Sequence, residues 1–117
     1  MKLRCLAALS LALFVAPRFA AAGTCIASHY GHGDGYNGRR TATGERLNTY
    51  RDMTAARPSR RDLGKHLTVT NLSNGRSVTV RINDIGPNGI PGRCVDLSFA
   101  AARAIGMGGL ARVRVGE

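Results

Sequence analysis

The chain is 117 residues long, enough for one small domain and too short for two. Its 17 Lys and Arg against 7 Asp and Glu give a net charge of +10, which favours polyanionic partners such as nucleic acid, an anionic lipid surface or an acidic cell-wall polymer. Aromatic residues make up only 5%, too few for a base-stacking surface, which argues against nucleic acid.

Taken in order, the chain opens with Lys2 and Arg4, an apolar run from Leu6 to Ala16, and the small residues Ala20-Ala21-Ala22 before Gly23. This is the pattern of a secretory signal peptide over 1–22, cleaved after Ala22. Arg18 interrupts it, so cleavage a few residues away, or retention as an anchor, stays open. The apolar run is short for a bilayer crossing and no later run is longer, so no transmembrane segment is expected after cleavage. The expectation is an exported, soluble domain over 23–117, and export is a second argument against nucleic acid. That domain carries fourteen basic and seven acidic residues, a charge of +7, with Arg39, Arg40, Arg46, Arg51, Arg57, Arg60 and Arg61 crowded into one region. These read either as a directed basic face or as a solvated surface. Cleavage removes Cys5 and leaves Cys25 and Cys94, and an even number of cysteines in an oxidising compartment tends to pair. Two separate buried thiols, or a lipid anchor on Cys25, are the alternatives.

Thr24 to Tyr30 suggests a first short strand. Gly31, Gly33, Gly35 and Gly38 make Gly31 to Arg40 a surface loop of the kind that carries function. It lacks the strand-to-helix context and the Gly-Lys-Ser/Thr ending of a phosphate-binding loop. Thr41 to Arg46 reads as a turn presenting Glu45, and Met53 to Ala56 as a weak strand ended by Pro58. Leu67 to Leu72 and Ser77 to Ile82 both alternate and flank Asn74-Gly75, a strong hairpin signal. Within the second of these, Val78, Val80 and Ile82 fall on one face, Thr79, Arg81 and Asn83 on the other, and Asp84 stands at the strand's exit before Gly86-Pro87. Arg93 to Leu97 follows a second loop. Ser98 caps a short helix from Phe99 to Ile105 with Gly106 as its stop, and Ala111 to Val115 is a final strand. The fold class is mainly β, a small barrel with one short helix and no internal repeat.

Glu45, Asp84 and Asp96 lie at loop or strand ends. Breaking a glycosidic bond needs a proton donor at the leaving oxygen and usually a second carboxylate, so two acids in unlike environments suffice. Each also has a plainer reading: Asp84 as a turn cap, Glu45 as a solvated loop acid, Asp96 as a hydrogen-bond acceptor for backbone near the helix start, the last being favoured. His29, His32 and His66 lack the spacing of a metal site, and no serine or cysteine nucleophile stands out.

The segments Ala27-Ser28-His29-Tyr30-Gly31, Gly38 to Arg46, Met53 to Ala56, Val69 to Leu72, Asn74 to Val78, Arg81 to Pro87 and Gly92 to Ser98 occur in the order in which the rare lipoprotein A (RlpA) family has them. The chain resembles that family over nearly all of 23–117. The resemblance implies a double-psi β-barrel related to expansin and barwin domains, a location in the bacterial periplasm or envelope or outside the cell, and lytic transglycosylase action on peptidoglycan glycan strands, preferably those without stem peptides. It implies no metal and no cofactor, and a monomer is expected. It assigns Glu45, Asp84 and Asp96 to the proposed catalytic positions and Tyr30, Arg40, Asn48, Arg57 and Asn83 to substrate binding. Three positions depart from the pattern: Asn48 where Asp is usual, Arg57 where His is usual, and His29 where Trp is usual, the last reducing the surface on which sugar rings stack. The competing expectation is a non-catalytic, expansin-like module that binds wall glycan through arginines.

Overall fold

The structure, a computed structural model, describes residues 23–117, so the expected signal peptide and Cys5 lie outside the described residues. Six strands form one closed barrel: β1 (Gly23–Tyr30), β2 (Thr54–Arg57), β3 (His66–Asn71), β4 (Ser77–Ile85), β5 (Arg93–Ser98) and β6 (Ala111–Gly116), in the order β1-β5-β2-β4-β3-β6. Closure removes the exposed sheet edges that so short a set of strands would otherwise leave. A 3-10 turn (Arg60–Asp62) leads into β3, and one helix, α1 (Phe99–Ala104), follows β5 directly. Among the described residues no helix is long and apolar enough to cross a membrane.

The strands form where the sequence alternates. On β3, Leu67 and Val69 are buried while Thr68 is exposed, and on β4 Val80 and Ile82 are buried while Thr79, the partner of Thr68, is exposed. The hydroxyls left outside pair across the hairpin, Thr70 with Ser77 at 2.7 Å. Inside, Val69, Val80, Ile82, Val95, Leu97 and Val113 are fully buried, each side chain contributing about 1.5–3 kcal/mol relative to exposure. Ala27, Ala55, Ala101 and Ala102 are buried in the same core. Asn71 Nδ2 donates to the Ile105 carbonyl at 2.9 Å, tying the hairpin turn to the end of α1. Ser98 caps α1 as expected, its hydroxyl accepting from Ala101 N at 3.1 Å.

Two pairs are parallel, β1 with β5 and β2 with β4, and they are joined by the short antiparallel β2–β5 contact. This is the double-psi β-barrel that the resemblance implies. Both parallel pairs carry the same irregularity. Between Ile26 and Ala27 the partner advances from Arg93 to Val95, leaving Cys94 as an extra residue on β5; between Ala55 and Ala56 it advances from Ile82 to Asp84, leaving Asn83 as an extra residue on β4. Such bulges re-aim the side chains beside them.

The second bulge corrects the sequence reading of this strand in two respects. β4 runs on to Ile85, because β2 pairs Ala56 with Asp84 and Arg57 with Ile85 and Gly86 N then donates to the Arg57 carbonyl at 2.9 Å. Asp84 therefore sits inside the ladder, not beyond it. Asn83, expected on the outer face, is only 1% exposed, since the loop carrying Glu45 covers that face.

Candidate active site

Residues 38–47 fold back as a small hairpin: Gly38 N donates to the Leu47 carbonyl at 2.8 Å, Leu47 N to Arg39 at 2.9 Å, and Arg40 pairs with Arg46. Two guanidinium groups pin it, Arg40 on the Gly44 carbonyl and Arg46 on the Gly38 carbonyl, both at 2.9 Å. Part of the arginine crowding is thus used locally. The tip of the hairpin is stitched onto the end of β4. Thr43 N donates to the Asn83 carbonyl at 3.1 Å and Ala42 N to Asp84 Oδ1 at 3.1 Å.

Glu45 is the strongest of these stitches. Its carboxylate takes both Arg81 nitrogens, at 2.5 and 3.1 Å, together with Asn83 Nδ2 at 2.9 Å. Those hydrogen bonds, Arg81 first and Asn83 second, lower its pKa to about 2. Glu45 is therefore an anion at any ordinary pH and cannot donate a proton. The solvated-acid reading of Glu45 is corrected here: Arg81 and Asn83 hold it.

Asp84 is approached from two sides. Besides Ala42 N, the Tyr30 hydroxyl donates to Oδ2 at 2.9 Å, so the last residue of β1 reaches across to β4. Burial, then the charge of Asp84, pushes the Tyr30 phenol far above its usual range, with Asp96 and Asp34 adding to the effect. Tyr30 is thus a hydrogen-bond donor that keeps its proton. Asp84 also accepts from Ile85 N at 3.0 Å, the one bond here of the turn-cap kind.

Asp96 lies in register with Ser28 on β1 and with Ala56 on β2. Its Oδ1 accepts from the Ser28 hydroxyl at 3.0 Å, and burial raises its affinity for a proton while the Ser28 bond opposes the rise. The expectation that Asp96 serves backbone near the helix start is corrected: Ser98 performs that role and Asp96 bonds across the β1–β5 pair. Ala56 is the common partner of Asp84 and Asp96, which puts their backbones two strand spacings apart, about 10 Å.

The remaining expected residues divide. Tyr30 and Asn83 join the acidic cluster. Arg40 stands exposed on the hairpin, and Asn48 is half-buried, its carbonyl accepting from Arg51 N and Asp52 N. Arg57 is not brought to the carboxylates. Its Nε reaches Asp62 at 3.3 Å and its Nη1 the Cys94 carbonyl at 2.9 Å. It lines a cavity of about 320 Å³ with Cys25, Cys94 and Val115. Cys25 and Cys94 form a disulfide with Cα atoms 5.9 Å apart, which settles the pairing against free thiols or a lipid on Cys25. Sequence reasoning missed Arg81, Ser28 and the Ala42 N–H. The alternation that sets Arg81 beside Asn83 was the one available signal for Arg81; nothing in the sequence marks the other two. Among the described residues no three His, Cys, Asp or Glu side chains gather to hold a metal ion.

Arranged this way, the site offers a fixed carboxylate, a burial-perturbed carboxyl and, between them, an aspartate held by a phenol and a backbone N–H. A carboxylate held ionised and a carboxyl whose proton affinity burial raises, on connected elements, suit acid–base cleavage of an acetal. A family model described as lytic transglycolase matches residues 7–115. A probable endolytic peptidoglycan transglycosylase RlpA from Nostoc is 56% identical over 92 residues, 77% of this chain and 24% of that protein. The endolytic peptidoglycan transglycosylase RlpA of Pseudomonas aeruginosa is 46% identical over 86 residues, 72% of this chain and 24% of that protein. The chain thus spans about a quarter of the length of these curated relatives. Among solved structures, a mutant Clavibacter michiganensis expansin in complex with cellohexaose is 25% identical with a TM-score of 0.60, covering 80% of this chain and 48% of that one.

Proposed function

This chain belongs to the lytic transglycolase family, and on that premise we propose that it is an endolytic peptidoglycan lytic transglycosylase acting on glycan strands that lack stem peptides. The bond broken joins the anomeric carbon of N-acetylmuramic acid to the 4-oxygen of N-acetylglucosamine. A proton passes to that oxygen as it leaves, and the muramic 6-hydroxyl closes on the anomeric carbon with loss of its own proton, giving a 1,6-anhydro end. No water is consumed.

Asp84 is the carboxylate that handles the proton, taking it from the 6-hydroxyl and passing it to the leaving oxygen. The observation that carries this reading is its pair of fixed donors, Tyr30 hydroxyl and Ala42 N–H, which hold the carboxyl at the end of β4 in register, through Ala56, with Asp96. Glu45, kept ionised by Arg81 and Asn83, stabilises positive charge developing at the anomeric carbon. Asp96, whose affinity for a proton is raised by burial, is the second acid of the site. Arg40 and Asn48, on or beside the hairpin, line the approach of the strand. Export and action in the periplasm or cell envelope, as a monomer, go with this substrate. Mass spectrometry of denuded glycan after incubation with residues 23–117 tests the reading through the appearance of anhydro-muramic products.

A second reading, a wall-glycan binding module without turnover, draws on Arg57: at a position usually occupied by His, its guanidinium is turned to Asp62 and the Cys94 carbonyl. Binding to insoluble peptidoglycan that survives Asp84→Asn, with no product from the unaltered protein, selects it.

A further inference from the structure

Beyond the carboxylates, at the ends of β1 and β5, four rings from three parts of the chain come together. The His32 and Phe99 rings stack, 4.0 Å between centroids and 12° between planes. Tyr50 meets both edge-on, at 5.8 Å from His32 and 5.7 Å from Phe99, and His29 meets the Phe99 ring at 5.4 Å. Tyr50 is 55% exposed and its hydroxyl bonds His32 Nδ1 at 3.1 Å. Arg103, one turn along α1, holds its guanidinium 5.8 Å from the Phe99 centroid.

Folding fixes this assembly in advance. Thr49 Oγ1 donates to the Tyr30 carbonyl at 2.7 Å and accepts from Phe99 N at 2.7 Å, while the Thr49 carbonyl accepts from Ala100 N at 2.7 Å. The residue before Tyr50 thus locks its loop to both β1 and α1. Gly31 allows the approach, because at φ +95° a Cβ there would lie 2.6 Å from Thr49 Cβ. An exposed aromatic held so rigidly loses little freedom on binding.

Position and chemistry select the occupant. Phe99 follows Asp96 by three residues, about 10 Å along an extended strand, so the rings lie within a disaccharide's reach of the carboxylates. Pyranose rings present C–H faces that stack on aromatic rings. Each muramic unit of a strand without stem peptide also carries a free lactyl carboxylate, which a guanidinium recognises. We infer that His32, Tyr50 and Phe99, with Arg103 at their edge, form a subsite for a muramic unit of denuded glycan, replacing the stacking surface that His29 lacks. This rests on the wall-glycan reading of the carboxylate site.

The test measures binding by calorimetry in an Asp84→Asn background, so that no turnover intervenes. Two probes are used: denuded peptidoglycan fragments, which carry the carboxylate, and chitohexaose, which does not. Tyr50→Ala should weaken both by about two- to tenfold, with Tyr50→Phe restoring most of the loss and Leu110→Ala, elsewhere on the surface, changing neither. Arg103→Gln should weaken only the denuded glycan, by about two- to fivefold, the loss fading with salt. Equal binding by Tyr50→Ala and the background protein overturns the platform, and equal weakening of both probes by Arg103→Gln overturns the carboxylate assignment. If the background protein binds neither probe, the wall-glycan reading itself fails.

Discussion

The Tyr30 hydroxyl donates to Asp84 Oδ2 at 2.9 Å, joining two residues 54 apart in sequence across the barrel. Burial and the neighbouring carboxylate hold the phenol protonated, so it remains a hydrogen-bond donor to Asp84 and fixes the position of that carboxylate. Tyr30→Phe keeps the ring and removes the donor. The expected result is a fall in kcat of about tenfold with KM nearly unchanged, and a loss of about 1 kcal/mol in stability. An equal rise in KM would make Tyr30 a binding group instead.

Glu45 gives a pH signature. Its folded pKa, about 2, lies below its ordinary 4.5, so the Arg81 bond stabilises the fold above pH 4.5, and this contribution is lost as pH falls toward 2. Thermal melts of wild type and Glu45→Gln should differ most above pH 5 and converge near pH 2. Salt should narrow the gap, since both side chains are more than a third exposed.

The disulfide closes a loop with a sequence separation of 69. Reduction, or Cys25→Ala with Cys94→Ala, should cost about 2–4 kcal/mol and lower Tm by roughly 10–25 °C. Calorimetry with and without reductant measures it.

Gly31→Ala should be costly for a residue in a loop. The position combines φ +95° with a Cβ that would meet Thr49 Cβ at 2.6 Å. A loss of about 2–3 kcal/mol is expected in denaturant melts, with glycan binding weakened as the Tyr50 loop shifts.

Much of this fold is legible in the sequence because its signals are local. Asn74-Gly75 between alternating strands gives the hairpin, Ser98 gives the helix start, and the even pair of cysteines left after the expected cleavage gives the bridge. The extent of β4 and the burial of Asn83 are not legible, because the first depends on β2 pairing in parallel with a bulge and the second on the Glu45 loop folding over that face, non-local events that no periodicity announces. The site divides the same way. Glu45, Asp84 and Asp96 are recognised as residues through the family resemblance, but their states come from partners distant in sequence: Arg81 for Glu45, Tyr30 and Ala42 for Asp84, Ser28 for Asp96. Arg57 shows the reverse case, since its position in the pattern suggests the groove while Asp62 and the Cys94 carbonyl draw it to the disulfide side.

The central claim is that Asp84 moves the proton in a glycan-cleaving reaction. Mass spectrometry of denuded glycan strands after incubation with wild-type protein and with Asp84→Asn tests it most directly, provided both melt alike. The account predicts 1,6-anhydro-muramic ends from the wild type and at least a hundredfold fewer, about 3 kcal/mol in barrier, from Asp84→Asn. Anhydro products formed equally by both proteins, or by neither, would contradict it.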